Sequence, residues 1–226
     1  MMGDAIGQML APAVGIAISP VPIIAVVLML ATPRGRVNGI AFTAAWMVTL
    51  AALSTAVVLL GSGAGAHQDG ETASWVSWVK LAVGVLFIVL GLKQWKGRPR
   101  PGQEAGLPGW MKAIDTFSPG KAAGLAAALS GLNPKNLVLA VGGALSIAGS
   151  SASAGGKMLA VALFVLIASL CALLPLGVYL IGGEKSARVL ESWKSWMAAH
   201  NGAIMTVLLT VMGAKFIGDA LSGLAA

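Results

Sequence analysis

Four consecutive residues that a membrane tolerates poorly lie in one apolar stretch, and one of them carries a positive charge. Asn133, Pro134, Lys135 and Asn136 interrupt the segment ALSGLNPKNLVLAVGG (128–143), which otherwise has the composition of a membrane-spanning helix. A lysine at the centre of a bilayer costs at least ~2.5 kcal/mol on insertion scales, so its ammonium group requires a cavity or a partner. We therefore expect Lys135 to face a polar cavity or to bind an anionic group.

Two prolines inside the predicted spans follow residues that are good helix caps. Proline fits the first position of a helix, and serine or asparagine fits the position before it. Ser19-Pro20 and Asn133-Pro134 therefore predict that new helices begin inside two spans, where unpaired N–H groups attract anions. The alternative is that the prolines only bend their helices while Lys135 caps carbonyl groups. The candidate substrate-binding residues are Ser19, Pro20, Pro22, Asn133, Pro134, Lys135 and Asn136.

The composition is that of an integral membrane protein. Of the 226 residues, 57% are hydrophobic and only 10% are charged, whereas soluble domains contain roughly 25% charged residues. Helices satisfy their own backbone groups in lipid, so the expected fold class is an all-α integral membrane protein. Six segments are long and apolar enough to be transmembrane helices: 6–31, 38–61, 75–93, 121–147, 157–182 and 201–221.

Short matches between the two halves of the chain indicate an internal duplication. Residues 18–28 match 132–142, SWVSW matches SWKSW, and VLGLK (89–93) matches VMGAK (211–215), in the same order along each half. A unit of three spans must reverse its orientation when it is repeated, so the matches predict two inverted three-helix repeats with broken first and fourth helices. The predicted divisions are a first repeat (1–93), a basic cytoplasmic linker with an interfacial helix (94–120) and a second repeat (121–226).

The basic residues follow the predicted topology. The formal net charge is +7, and lysine and arginine concentrate in the first, third and fifth loops. The positive-inside rule places these loops in the cytoplasm and both termini on the outer side of the cell inner membrane. The charge is thereby explained without a nucleic-acid partner. Two amphipathic segments, 108–117 and 184–197, are predicted to lie in the cytoplasmic membrane interface.

Acidic residues are absent from the six predicted spans apart from Asp219, which lies two residues before the end of the sixth. Hard cations prefer carboxylate ligands, so metal ions and cationic amino acids are poor candidate substrates. The sequence has no nucleophile elbow, no metalloprotease motif and no membrane-embedded histidine or carboxylate that could act as a general base. We therefore expect neither an enzyme nor a metal or cofactor site.

The two proline motifs, SPVPIIAV and LNPKNLVLAVGGAL, occur in a six-span chain with a basic central loop. In this the chain resembles the GAP family of the LysE transporter superfamily, which includes the sulfolipid-addressing and glycopeptidolipid-addressing proteins. The resemblance implies that the seven candidate residues lie at a transport site and that the substrate is a cell-envelope glycolipid. Pro20-Val21-Pro22 stands where amino-acid exporters of the superfamily often have Pro-Gly-Pro, which argues against an amino-acid substrate.

Three functions are compatible with these observations. The leading hypothesis is a secondary-type exporter of an anionic, amphipathic lipid or glycolipid that works by alternating access. The second is an exporter of a small organic anion or amino acid. The third is a membrane scaffold for an envelope-lipid synthesis or export complex. The expected partners are the lipid substrate and membrane lipids, and a homo-oligomer or a biosynthetic partner stays open.

Overall fold

The structure is a computed structural model that describes residues 2–63, 67–68, 71–72, 74–97 and 109–225. Within these residues the fold is helical apart from a two-stranded antiparallel hairpin, in which His67 pairs with Thr72. The all-α fold class is thus confirmed for the described chain. Residues 98–108 of the predicted linker and the side chains of Trp75 and Trp110 lie outside the description. The elements are α1 (Met2–Ala17), α2 (Pro20–Leu30), α3 (Gly35–Gly63), β1 (His67–Gln68), β2 (Glu71–Thr72), α4 (Ser74–Lys96), a 3-10 helix (Gly109–Thr116), α5 (Pro119–Ala127), a π-helical turn (Ala128–Leu132), α6 (Pro134–Ala148), α7 (Ala154–Ala168), α8 (Leu170–Ile181) and α9 (Gly183–Ala225).

The first predicted span is broken, as its Ser19-Pro20 pair indicates. Helix α1 ends at Ala17, Ser19 has an extended backbone, and α2 begins at Pro20 with a bend of 49°. Proline has no N–H to donate to the preceding turn, so the helix restarts at this position.

The fourth predicted span is also broken. Helix α5 passes into the π-helical turn, which ends at Leu132, and α6 begins at Pro134. Helix α6 has 15 residues, or about 22 Å, which is shorter than the ~30 Å core of a bilayer.

The described residues contain fewer complete spans than the predicted six. Helices α3, α4 and α9 are each long and apolar enough to cross a membrane, and counting each of two bent helix pairs as one span gives five. The predicted fourth span is not among these five; its second piece, Pro134–Ala148, is a shorter apolar helix. A multi-pass membrane protein is therefore supported, at a coarser level than six spans.

The fifth predicted span is also broken, which was not predicted from the sequence. Helices α7 and α8 meet at Ser169 with a bend of 59°. Pro175 lies inside α8, where its ring crowds the carbonyl of Cys171, one turn earlier and close to the bend.

The two predicted interfacial segments differ from expectation. Residues 184–197 are the first part of α9, a continuous helix of 43 residues and about 65 Å that also contains the sixth predicted span. The segment at 109–116 is a 3-10 helix whose Met111 and Ile114 are buried, and Asn38 Nδ2 donates a hydrogen bond of 3.0 Å to Phe117 O just after it. This apolar face therefore packs on the protein.

Helices from the two halves pack against each other. Helix α3 contacts α5 and α6, and α7 and α8 contact α1 and α2. Helices α4 and α9 approach most closely where two glycines cross, because a Cβ added to either Gly84 or Gly213 would lie 2.9 Å from the backbone carbonyl oxygen of the other. This packing holds the first and fourth predicted spans, with their breaks, within the bundle.

Candidate functional site at two helix breaks

The two predicted breaks have nearly the same backbone geometry. Ser19 has φ −70° and ψ 115°, and Asn133 has φ −67° and ψ 118°. Each is extended, and each is followed by a proline at the first helical position. The side chains differ, because Asn133 Oδ1 accepts a hydrogen bond of 3.1 Å from Lys135 N, whereas Ser19 makes no capping bond to its own helix.

Each break leaves the backbone carbonyl four residues before its cap without its usual partner. In an uninterrupted helix, the N–H of Ser19 would donate to Gly15 O, but here it donates to Ile16 O. The N–H of Asn133 would likewise donate to Leu129 O, but it donates to Ala128 O across the π-helical turn. A buried carbonyl without a donor is costly, so both oxygens require another partner.

Two side chains of the Asn-Pro-Lys-Asn motif supply these partners. Lys135 Nζ donates a hydrogen bond of 2.9 Å to Gly15 O, and Asn136 Nδ2 donates one of 2.8 Å to Leu129 O. Asn136 therefore satisfies the break in its own half of the chain. Lys135 satisfies the break in the other half, which makes it a direct link between the two halves.

A hydroxyl group extends this link. Lys135 Nζ also donates to Ser19 Oγ, and Ser19 Oγ makes a long contact of 3.5 Å with Asn136 Oδ1. The three side chains are almost inaccessible, with exposed fractions of 7% for Lys135, 4% for Ser19 and 0% for Asn136. They form one buried polar network between the first and fourth predicted spans.

The network brings together four of the seven predicted site residues. Ser19, Asn133, Lys135 and Asn136 are joined by hydrogen bonds, while Pro20 and Pro134 set the two helix starts. In this structure the ammonium group of Lys135 binds a backbone carbonyl, as the alternative prediction for this residue stated. Contact of any of these residues with a substrate stays a prediction.

Lys135 is bound here by neutral groups. A backbone carbonyl and a hydroxyl accept two of the three N–H bonds of its ammonium group. In the described part of the chain, salt bridges join Lys194 to Glu191 and Lys215 to Asp219, and Lys135 belongs to neither. Among the described residues, Lys135 therefore has no acidic partner, and a bound anion would supply one.

Apolar cavities lie beside the first break. A cavity of about 350 Å³ is bounded by Ala17, Ile18 and Ile23 at the break and by residues of α8 and α9. A groove of about 770 Å³ runs between α1 and α9 and includes Gly15, whose carbonyl binds Lys135. The cavity and the groove share Ile18 and Trp196, so apolar space follows α1 to the break.

Three contributors to this region were not among the predicted site residues. Gly15 and Leu129 provide the freed carbonyls, and each lies four residues before a predicted cap, which is a position the proline pattern could have identified. Ser169 lies at the third break, where its buried hydroxyl has no hydrogen-bond partner in the described chain. Ser169 is followed by a leucine and not by a proline, so this break lacks the cap-proline signal of the other two.

Metal-ligating side chains do not cluster in the described residues, where no group of three His, Cys, Asp or Glu side chains could hold a metal ion. The chemistry that the network offers is recognition of a negative charge by an ammonium group, a hydroxyl and a carboxamide.

Comparison with known proteins gives one match that covers most of the chain. A family model described as "Sap, sulfolipid-1-addressing protein" matches residues 9–222. The matched region contains both proline motifs and the whole hydrogen-bond network, and it confirms the resemblance to the sulfolipid-addressing proteins. No curated protein and no solved structure matches the chain.

Proposed function

Because the chain belongs to the sulfolipid-1-addressing protein family, we propose that it exports an anionic, amphipathic cell-envelope lipid or glycolipid across the membrane. The family connects the chain with a lipid, and the apolar helices connect it with a membrane. Export, the anionic character of the substrate and alternating access are the proposed additions. No residue is assigned a catalytic role.

The observation that carries the proposal is the neutral environment of Lys135. A sulfate, phosphate or carboxylate would form charge-assisted hydrogen bonds with its ammonium group, and these are roughly twice as strong as neutral ones. Such a head group would compete with Gly15 O and Ser19 Oγ for the same N–H bonds. Substrate binding would thereby release the link between the two halves.

The release of this link suits alternating access between inverted repeats. The crossing of α4 and α9 supports such a repeat. The match of VLGLK (89–93) with VMGAK (211–215) makes Gly91 equivalent to Gly213. The same offset of 122 residues makes Gly84 equivalent to Thr206. A Cβ on Gly91 would lie 3.5 Å from Thr206 O, and one on Gly213 would lie 2.9 Å from Gly84 O. The crossing thus has the paired contacts that a two-fold relation requires.

The cavities favour a lipid over a small organic anion. The space along α1 and α9 is lined almost wholly by apolar side chains, among them Leu10, Val14 and Val207. Such a surface binds acyl chains and offers little to a small hydrophilic molecule. In the proposed mechanism the tails stay in this groove while the head group crosses at Lys135.

The proposal is tested by transport in proteoliposomes. Fluorescent lipids with sulfate, phosphate or choline head groups are incorporated, and the fraction that a membrane-impermeant quencher reaches is followed with time. We expect movement of the anionic lipids with wild-type protein and loss of movement with Lys135→Met. Lys121→Met, which removes an exposed lysine from α5, is the matched control.

The outcomes separate the candidate functions. Equal movement of choline and sulfate lipids, or full activity of Lys135→Met, would overturn the anionic-lipid proposal. Efflux of small organic anions without lipid movement would favour the second candidate. If neither moves, with both proteins folded, the chain is better explained as a scaffold.

The proposed location is the inner membrane, with both termini on the outer side. The test places single cysteines at Gly3 in α1 and at Gly97 after α4, in a Cys171→Ala background. An impermeant maleimide added to whole cells should label the first and spare the second. The reverse pattern would invert the topology.

A further inference from the structure

A second groove, separate from the Lys135 network, lies between α3 and α7. It has a volume of about 690 Å³, and its walls include Met47, Ala51 and Val58 from α3 with Val161 and Val165 from α7. Met158, at its edge, is 74% exposed, so the groove opens toward the surroundings of the bundle. Ligand sites in proteins commonly have volumes of about 300–1,000 Å³.

One end of this groove is polar. Lys157 and Ser62 line it where α7 begins and α3 ends. Lys157 Nζ donates hydrogen bonds to Ala148 O, at 2.6 Å, and to Ser62 Oγ, at 3.2 Å. These two bonds hold the ammonium group at the mouth of the groove, and among the described residues they use two of its three N–H bonds.

The charge at this end is positive. Among the described residues that line the groove, none is an aspartate or a glutamate, and Lys157 is the one charged residue. It also lies in the first turns of α7, where the helix dipole adds partial positive charge. An anionic group fits this end of the groove, and an apolar chain fits the rest of it.

The length of the groove matches a membrane lipid. Ser62 and Met47 are separated along α3 by about 22 Å, which exceeds half of the ~30 Å core of a bilayer. An acyl chain that begins at Lys157 could therefore lie along α3 and α7 through one leaflet. A soluble anion would leave the apolar walls uncovered.

We propose that this groove binds a membrane lipid with a phosphate head group, with the phosphate on Lys157 and one acyl chain between α3 and α7. The site does not depend on export by the protein. Lys135→Met, which should stop transport, is expected to leave binding here unchanged.

The test uses the full chain in mixed micelles with phosphatidylglycerol that carries a diazirine in its acyl chain. After illumination, mass spectrometry quantifies labelled peptides from 47–62 and 154–165. We expect Lys157→Gln to lower this labelling roughly fivefold, the factor that loss of one basic residue near an anionic surface produces. Ala162→Trp, which fills the groove, should lower it without a change in charge.

Matched controls sharpen the result. Lys80→Gln and Ala82→Trp make the same changes on α4, outside the groove, and should leave the labelling within about twofold of wild type. Unlabelled phosphatidylglycerol should compete better than phosphatidylcholine, and soluble glycerol phosphate should not compete. Unchanged labelling in Lys157→Gln and in Ala162→Trp would overturn the proposal, as would full competition by glycerol phosphate.

Discussion

The two predicted breaks share a backbone but differ in how they are satisfied. The break at Asn133 is satisfied locally, because Asn133 caps Lys135 N and Asn136 binds the freed carbonyl of Leu129. The break at Ser19 has no such local group. Its freed carbonyl, Gly15 O, is bound by Lys135 from the other half of the chain.

This difference makes the first break dependent on the second. If the halves separate, Gly15 O and Ser19 lose their partner, while the bond of Asn136 to Leu129 O stays within one half. A buried polar group without a partner costs about 1–3 kcal/mol, so a ligand or water would have to replace Lys135 there. The break at Ser19 is therefore the side of the network that a moving substrate would meet.

Removal of the Lys135 amine is expected to have the largest effect. Lys135→Met keeps an unbranched side chain but leaves Gly15 O and Ser19 Oγ without the ammonium group. We expect transport of anionic lipid to fall to background, and hydrogen exchange to increase at residues 14–23. Lys135→Arg retains the charge and should retain part of the transport. Protection at 14–23 that equals wild type in Lys135→Met would show that the first break does not depend on this residue.

Substitution of Asn136 should disturb the other break. Asn136→Leu is close in size and leaves Leu129 O without a donor, at a cost of about 1–3 kcal/mol in unfolding free energy. We expect a lower thermal midpoint in detergent and faster hydrogen exchange at 128–133, with a smaller change at 14–23. If both regions respond equally, the two breaks are one cooperative unit and the contrast between them is wrong.

The sequence predicted these breaks better than it predicted the span count. Ser19-Pro20 and Asn133-Pro134 are local signals, because a cap and a proline determine a helix start without distant contacts. The continuity of α9 depends on packing between helices, and the bend at Ser169 lies six residues before Pro175 and not directly before a proline, so neither has a local signal of this kind. The position of Gly15, four residues before Ser19, follows from the proline pattern, but its bond to Lys135, 120 positions away, depends on the packing of the two halves.

The site shows a similar division. The motif identified Lys135 as a buried charge that needs a partner, and this followed from the cost of a lysine in lipid alone. Which partner it takes was left open between an anion and a carbonyl, because that choice depends on the position of α1. The prediction of a lipid substrate came from the family resemblance, because the residues by themselves did not distinguish a lipid from a small anion.

The glycine crossing tests whether the two halves are related beyond their breaks. Gly84→Ala would place a Cβ 2.9 Å from Gly213 O, so α4 and α9 must separate, and overpacking of this kind costs about 1–3 kcal/mol. We expect a lower thermal midpoint for Gly84→Ala and little change for Gly218→Ala, whose Cβ would meet no atom within 4 Å. Equal midpoints for the two variants would remove the support that this crossing gives to an inverted repeat.

The smallest expected effect distinguishes the two caps. Asn133→Ala removes the bond to Lys135 N, and loss of a helix cap typically costs ~1 kcal/mol. Ser19→Ala removes no capping bond, and side-chain hydrogen bonds between membrane helices average only ~0.6 kcal/mol. Ser19→Ala should therefore leave the thermal midpoint closer to wild type than Asn133→Ala does, yet lower the transport rate, because Ser19 Oγ binds the amine that the head group must reach. A Ser19→Ala variant that is less stable than Asn133→Ala but transports normally would make Ser19 the structural cap and would remove it from the proposed path.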